Sequence, residues 1–242
     1  MKKNIFITGS SKGIGLEIAN KFYDENFNVF INSRHNPNKI NKKFKHFKSD
    51  MTKLNDVKRI SSKIKKNITK LDVLVCNIGF SKYEYNDFPS LNQINDSLEK
   101  NFFSCVLILN ELKDYLIKSK SKIICISSIC GSESVEGAPI NYSISKNLLN
   151  TYLKFISKSF AKNGVNLNIV SPGNVLFKGS TWEKKLKKNK EKVKNYLKKN
   201  VPLNKFASTK DIANAVFFLA SDKNNFISGA NLIIDGGQTN NL

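Results

Sequence analysis

Tyr142 and Lys146 lie four residues apart in a segment with helical spacing of apolar residues, which places both side chains on one helix face. A tyrosine with an ordinary pKa of about 10 is a poor acid or base at neutral pH. A neighbouring ammonium group lowers that pKa because it stabilises the phenolate. The pair therefore indicates proton transfer, although a surface tyrosine beside a lysine explains the same spacing.

A second polar group follows the apolar run from Ile123 to Ile126, where Ser127 and Ser128 come at the end of a predicted strand. Ligands bind at the carboxyl ends of the strands in an open parallel sheet. A serine hydroxyl at this place is able to hydrogen-bond a substrate carbonyl.

A glycine-rich turn joins the first predicted strand to the first predicted helix. In that context the backbone N–H groups and the positive helix terminus face a pyrophosphate, whereas a plain turn without a ligand is the alternative. The predicted cofactor contacts in this turn are Gly9, Ser11, Lys12, Gly13, Ile14 and Gly15.

Arg34 follows the second predicted strand, at the place where an acidic residue would accept the ribose hydroxyls of NAD. A guanidinium group there suits the 2′-phosphate of NADP, and Lys12 adds a second positive charge. The sequence therefore favours NADP over NAD, the alternative being that Arg34 is a solvated loop residue.

Short apolar runs alternate with longer amphipathic segments along the whole chain. The runs predict strands at 4–8, 27–32, 44–48, 71–76, 122–127, 165–170 and 230–234. The segments predict helices at 13–25, 54–66, 91–119, 141–162, 181–200 and 209–221. This alternation predicts one α/β domain over residues 1–242, a doubly wound parallel sheet of seven strands with helices on both faces.

The composition is unusual only in its charge. The 242 residues carry a formal charge of +21, yet Arg34 and Arg59 are the only arginines. A lysine-biased surface explains this charge without a nucleic-acid partner, and no nucleic-acid-binding motif is evident. The apolar run after Lys3 is too short for a signal peptide, and no run reaches the roughly 18 residues of a membrane span. We therefore expect a cytoplasmic protein without specific nucleic-acid or membrane partners.

Four cysteines, Cys76, Cys105, Cys125 and Cys130, form no C-x-x-C pair, and three of them lie in apolar runs. This pattern is typical of buried, reduced thiols rather than of a disulfide framework or a zinc site. No metal is expected.

With these motifs in this order, the chain resembles the short-chain dehydrogenases/reductases, which have a Rossmann fold. Further motifs of the resemblance are Asp50, the Asn77-Ile78-Gly79 triplet, Asn101, Pro172-Gly173 and Asp235-Gly236-Gly237. The resemblance implies that Tyr142 protonates the carbonyl oxygen, that Ser128 orients it, and that Lys146 lowers the Tyr142 pKa and binds the nicotinamide ribose. It also implies that Asn101 holds a water molecule in a proton relay.

The resemblance further implies cofactor contacts from residues that follow the third, fourth and sixth strands. These are Asp50, Met51, Asn77, Gly79, Pro172, Gly173 and Val175. The chain departs from the family pattern at Phe177, where a threonine commonly binds the carboxamide, and Ser180 or Thr181 is a candidate substitute.

The resemblance implies an NADPH-dependent carbonyl reductase or secondary alcohol dehydrogenase, and a homotetramer or homodimer. Its substrate is a small or carrier-linked carbonyl compound, either a 3-oxoacyl thioester or, alternatively, a keto-sugar or polyol. A variable substrate lid is expected at about 175–208, and nine lysines fall within 183–200. A non-catalytic NADP-binding regulator is the alternative from a different class.

Overall fold

A computed structural model describes residues 2–36, 41–81 and 85–240 of the protein. Its centre is a seven-stranded parallel sheet with the order β3-β2-β1-β4-β5-β6-β7. The strands are β1 (Asn4–Ile7), β2 (Asn28–Ser33), β3 (Lys45–Lys48), β4 (Val73–Cys76), β5 (Lys122–Ile126), β6 (Asn166–Pro172) and β7 (Asn231–Ile234). The predicted sheet is confirmed, and the strand bounds shift by one or two residues.

Helices cover both faces of the sheet, because neighbouring strand residues point to opposite sides. Phe6 faces a core cluster with apolar residues of α2 (Leu54–Asn67), α4 (Ser104–Ser119) and α5 (Ile140–Lys162). Ile5 and Ile7 face a second cluster with α1 (Gly13–Asp24) and α8 (Thr209–Ala220). Both faces of the central strands are therefore buried, which explains their continuous apolar sequences.

The predicted single helix at 91–119 is wrong. It comprises α3 (Leu91–Leu98), a π-helical turn at Glu99–Phe103, and α4. A π-helical turn widens the hydrogen-bonded ring, and such turns frequently occur at functional sites. Asn101 lies within this turn.

The predicted single helix at 181–200 is also wrong, because it divides into α6 (Thr181–Lys188) and α7 (Lys190–Asn200). Asn189 between them is extended, and its side-chain oxygen accepts a hydrogen bond from the Lys192 N–H at 2.8 Å. An asparagine that caps the following helix in this way ends the preceding one.

The strand order reverses between β1 and β4, which are hydrogen-bonded neighbours although β2 and β3 lie between them in the chain. The loops after these two strands diverge and leave a crevice at the carboxyl edge of the sheet. The glycine-rich turn follows β1 at this edge. Among the described residues, no helix combines the length and apolar character that a membrane span requires.

Candidate active site

Tyr142 and Lys146 lie in the first two turns of α5, opposite Ser128 at the end of β5. The Lys146 Nζ donates a hydrogen bond to the Ile126 carbonyl at 3.0 Å and lies 6.0 Å from the centroid of the Tyr142 ring. The Ser128 hydroxyl accepts a hydrogen bond from the Cys130 N–H at 3.2 Å, which begins a short 3₁₀ turn. The predicted catalytic tyrosine, lysine and serine therefore share one side of the crevice.

Burial sets the protonation of this group. It raises the pKa of Tyr142, and a hydrogen bond with Ser128 opposes that shift. Burial lowers the pKa of Lys146 to about 8, and only 1% of this side chain is exposed. The protein atoms thus keep the phenol protonated, as an acid that gives its proton to a carbonyl oxygen must be.

The glycine-rich turn is held by hydrogen bonds from β2 and from the loop after β4. The Asn77 side-chain amide donates to the Thr8 and Gly9 carbonyls at 3.1 and 2.9 Å, and Asn32 Oδ1 accepts from the Gly9 N–H at 3.3 Å. A Cβ atom at Gly15 would lie 2.8 Å from the Gly9 oxygen, so this position requires glycine. This close approach of backbone segments is the feature that a dinucleotide-binding turn needs.

A cleft of about 680 Å³ extends from this turn to Tyr142. Its wall contains Ser128 and most of the predicted cofactor contacts: Gly9, Ser11, Lys12, Ile14, Gly15, Arg34, Asp50, Met51, Asn77, Gly79, Tyr142, Lys146, Pro172, Gly173 and Val175. Two predicted site residues, Gly13 and Asn101, lie outside the wall. The Phe177 ring packs against Gly13, and the buried Asn101 side chain binds the backbone of Phe80.

Both arginines of the chain lie near the adenine end of the predicted cofactor site. The exposed Arg34 borders both this cleft and a neighbouring one of about 770 Å³, which Arg59 also lines. Arg59 is paired with Asp56 at 2.7 Å. The Asp50 carboxylate accepts hydrogen bonds from the Thr52 N–H and hydroxyl at 3.0 and 2.9 Å, which fixes the loop after β3.

Three residues of the predicted lid segment at about 175–208 line the cleft but were not among the predicted site residues: Trp182 and Lys185 of α6, and Tyr196 of α7. The ring centroids of Trp182 and Tyr196 lie 5.0 Å apart. The Lys185 Nζ lies 4.7 Å from the centroid of the Trp182 ring. The nine lysines at 183–200 obscured this arrangement, because their spacing does not show which of them faces the cleft. The single tryptophan was the available signal.

Three cysteine thiols meet behind the predicted catalytic residues. The sulfur atoms of Cys76, Cys105 and Cys125 all lie within 4.8 Å of one another, and the residues are buried. Cys105 and Cys125 approach to 3.9 Å as free thiols. The cluster offers three sulfur ligands, whereas structural zinc takes four.

A family model described as enoyl-(acyl carrier protein) reductase matches residues 9–239. The 3-oxoacyl-[acyl-carrier-protein] reductase FabG of Rickettsia conorii is 33% identical, over 97% of this chain and 96% of that protein. Glucose 1-dehydrogenase 2 of Bacillus subtilis is 25% identical, over 98% of this chain and 95% of that protein.

Two solved structures share the fold closely. ElxO with NADP bound has a TM-score of 0.90 and 29% identity, covering 98% of this chain and 99% of that one. The ligand-free aldohexose dehydrogenase of Thermoplasma acidophilum has a TM-score of 0.88 and 28% identity, covering 98% of this chain and 94% of that one. With the sheet order and the tyrosine, lysine and serine group, these matches show that the chain is a Rossmann-fold, NAD(P)-dependent oxidoreductase of the short-chain dehydrogenase/reductase family.

Proposed function

We propose that the protein is an NADPH-dependent carbonyl reductase, which in the reverse direction oxidises a secondary alcohol. The observation that carries this proposal is the convergence of Tyr142, Ser128 and the buried Lys146 on one cleft with the glycine-rich turn. Each group has a chemical task that the others do not perform.

Tyr142 gives the proton of its hydroxyl group to the carbonyl oxygen, and burial keeps that hydroxyl protonated until a carbonyl binds. Ser128 donates a hydrogen bond to the same oxygen and stabilises the charge that develops there. Lys146 is fixed by the Ile126 carbonyl and presents its ammonium group beside Tyr142. Asn101 would hold a water molecule in a proton relay, and its side chain fixes the loop after β4 through the backbone of Phe80.

The cofactor fits residues of the cleft. Gly9, Ser11 and Gly15 would hold the pyrophosphate, and Asn77, Pro172 and Gly173 would lie along the nicotinamide half. Arg34 and Lys12 would bind the 2′-phosphate, which supports NADPH over NADH. Bound NADPH would supply the hydride that reduces the carbonyl carbon.

Two substrate classes fit this chemistry. The FabG relatives support a 3-oxoacyl thioester. The named activities of the glucose and aldohexose dehydrogenases support a keto-sugar or polyol instead. The ring of Trp182 in the cleft favours this second candidate, because flat aromatic faces pack well against sugar rings.

We further propose that residues 175–208 form the substrate lid and that the protein is a homodimer or homotetramer. Exposed apolar side chains of α5 and of the π-helical turn support an interface there: Ile144, Leu148 and Phe155 of α5, and Phe103 of the turn. The buried free cysteines fit a reducing cytoplasm.

The test follows NADPH oxidation with a panel of β-ketoacyl thioesters and keto-sugars. We expect turnover with at least one class, and a loss of about 100- to 10,000-fold in kcat in Tyr142→Phe, which removes the acidic hydroxyl. Tyr152→Phe is the matched control, because Tyr152 also lies on α5 but packs on Phe102. NADPH binding without turnover across the whole panel would instead identify a non-catalytic regulator.

A further inference from the structure

The thiols of Cys76, Cys105 and Cys125, here called the thiol cluster, are held in place by two strands and a helix. Cys76 of β4 and Cys125 of β5 are directly paired in the parallel register, so both side chains point to the same face of the sheet. Cys105 lies in the first turn of α4, and all three residues belong to the apolar core cluster on that face. The fold therefore brings three sulfur atoms together without any ligand.

The spacing of these sulfur atoms matches three ligands around one ion. All three lie within 4.8 Å of one another, and those of Cys105 and Cys125 are 3.9 Å apart. Three sulfur atoms that surround an ion in one plane, at metal–sulfur distances of about 2.3 Å, lie about 4.0 Å from one another. The thiol cluster therefore needs only a small contraction to enclose an ion.

The type and number of ligands select the ion. Thiolates prefer soft ions, among them Cu(I) and zinc. Structural zinc takes four ligands, and within residues 2–36, 41–81 and 85–240 no histidine, carboxylate or fourth cysteine completes the cluster. A zinc ion with three protein ligands binds water as its fourth, which an apolar core does not favour. Because three sulfur ligands saturate Cu(I), the thiol cluster suits this ion better.

A positive charge lies beside the thiol cluster. The Lys146 Nζ donates a hydrogen bond at 3.0 Å to the carbonyl of Ile126, the residue after Cys125. The thiolate forms of Cys105 and Cys125 interact favourably with this ammonium group. Cu(I) with three thiolates has a net negative charge, and a buried charge needs a partner of opposite sign. Lys146 provides that partner.

We propose that the thiol cluster binds one Cu(I) ion through its three sulfur atoms. Each thiol releases its proton to the solution as its sulfur binds, and no electron is transferred, because the ion enters as Cu(I). The site is separate from the proposed carbonyl reduction, and it departs from the sequence-based expectation that no metal binds. No C-x-x-C pair marks it in the sequence, because its ligands come from three elements.

The first experiment tests the choice of ion and the number of ligands. The reduced full-length protein is incubated without oxygen with equimolar Cu(I) and Zn(II), and is then desalted for metal analysis. We expect about one copper ion per chain and less than about a tenth as much zinc. X-ray absorption at the copper edge should show three sulfur neighbours at about 2.3 Å. Zinc in place of copper, or copper with two sulfur neighbours, overturns the proposal.

The second experiment assigns the ligands. Cys105→Ala removes one sulfur, and Cys130→Ala is the matched control because Cys130 is a free cysteine outside the thiol cluster. Competition with the chromophoric Cu(I) chelator bathocuproine disulfonate measures the affinity of each variant. Cys105→Ala should bind Cu(I) at least about 100-fold more weakly than the native protein, and Cys130→Ala within about threefold of it, since losing an outer partner of a ligand already costs about 10- to 100-fold.

Cys76→Ala removes a sulfur from a different element and should show the same loss as Cys105→Ala, so the test does not depend on the folding of one variant. Circular dichroism and NADPH binding show that each variant is folded. Equal Cu(I) affinity in the folded Cys130→Ala variant and in either variant of the thiol cluster overturns the proposal.

Discussion

The side-chain amide of Asn101 binds both backbone polar groups of Phe80. Its Oδ1 accepts a hydrogen bond from the Phe80 N–H at 2.7 Å, and its Nδ2 donates to the Phe80 carbonyl at 3.0 Å. The π-helical turn that carries Asn101 thereby fixes the loop after β4, which contributes Asn77 and Gly79 to the cleft.

Asn101→Ala should lower the free energy of unfolding by about 1–3 kcal/mol, because it leaves two backbone groups of Phe80 without partners. It should also weaken NADPH binding, since the loop loses its anchor. Urea denaturation and an NADPH titration measure the two effects. Asn67→Ala, at an exposed helix end, is the control, and equal destabilisation in both variants would contradict the positioning role.

Lys146→Met should abolish turnover and yet stabilise the protein without cofactor. The pKa of Lys146 falls from 10.5 to about 8, and at about 1.4 kcal/mol per pKa unit the buried charge costs the folded state about 3 kcal/mol. Below pH 8 the lysine is protonated in both states and the full cost applies. Between pH 8 and 10.5 the folded state loses the proton first, so the wild type gains stability as the pH rises.

The advantage of Lys146→Met should therefore be largest at pH 7 and shrink by pH 9. Urea denaturation of both proteins at the two pH values measures this difference. An advantage that stays constant or grows with pH would show that the burial of charge is not its cause.

Gly13→Ala should destabilise the protein for two separate reasons. The backbone φ of Gly13 is +58°, and an added Cβ would lie 2.6 Å from the Phe177 ring. When Phe177→Ala is already present, the clash with the ring is gone, and Gly13→Ala should cost about 1 kcal/mol less in the free energy of unfolding. The remaining cost of about 1 kcal/mol is the backbone strain. A double-mutant cycle in urea denaturation measures the coupling, and strictly additive effects would show that the ring yields freely.

Arg34→Gln should reduce the preference for NADPH over NADH by about 10- to 100-fold, because the 2′-phosphate loses a charge-assisted partner. The kcat/KM for NADH should change little, since NADH lacks that phosphate. Arg59→Gln is the control, because Asp56 already engages its guanidinium. Steady-state kinetics with both cofactors measures the preference. An equal loss in the two variants would assign the effect to the general positive potential.

Phe155→Lys should shift the assembly toward smaller species. This side chain of α5 is 73% exposed in the single chain, and a charge there would be buried in the proposed interface. Sedimentation at micromolar concentration gives the molecular mass. Phe88→Lys, at a still more exposed apolar residue outside α5, should leave the mass unchanged.

The strands were the most predictable part of the fold. The strands that are buried on both faces, such as β1 and β4, form short continuous apolar runs, and such runs have few interpretations other than a strand. The breaks at Glu99–Phe103 and at Asn189 escaped prediction for a physical reason. The periodicity of apolar residues continues across both, whereas hydrogen bonds to Phe80 and Lys192 decide where the backbone departs from a helix.

The site was predictable where backbone geometry restricts the residue type. Gly15 must be glycine because the Gly9 carbonyl lies against it, and such a restriction is visible in the sequence. The contact of Phe177 with Gly13 and the position of Lys185 over Trp182 depend on how α6 and the loop before it fold back. No local pattern encodes that path.

The reversal of strand order also bears on how the protein reaches its native state. Ile5 of β1 pairs with Val73 of β4, so the crevice between the two loops cannot exist until segments 68 residues apart in the chain have met. Contacts of such separation form slowly, because the entropy of closing the intervening chain is lost before they stabilise anything. A cofactor that binds the finished crevice therefore retards unfolding and leaves the early steps of folding at their intrinsic rate.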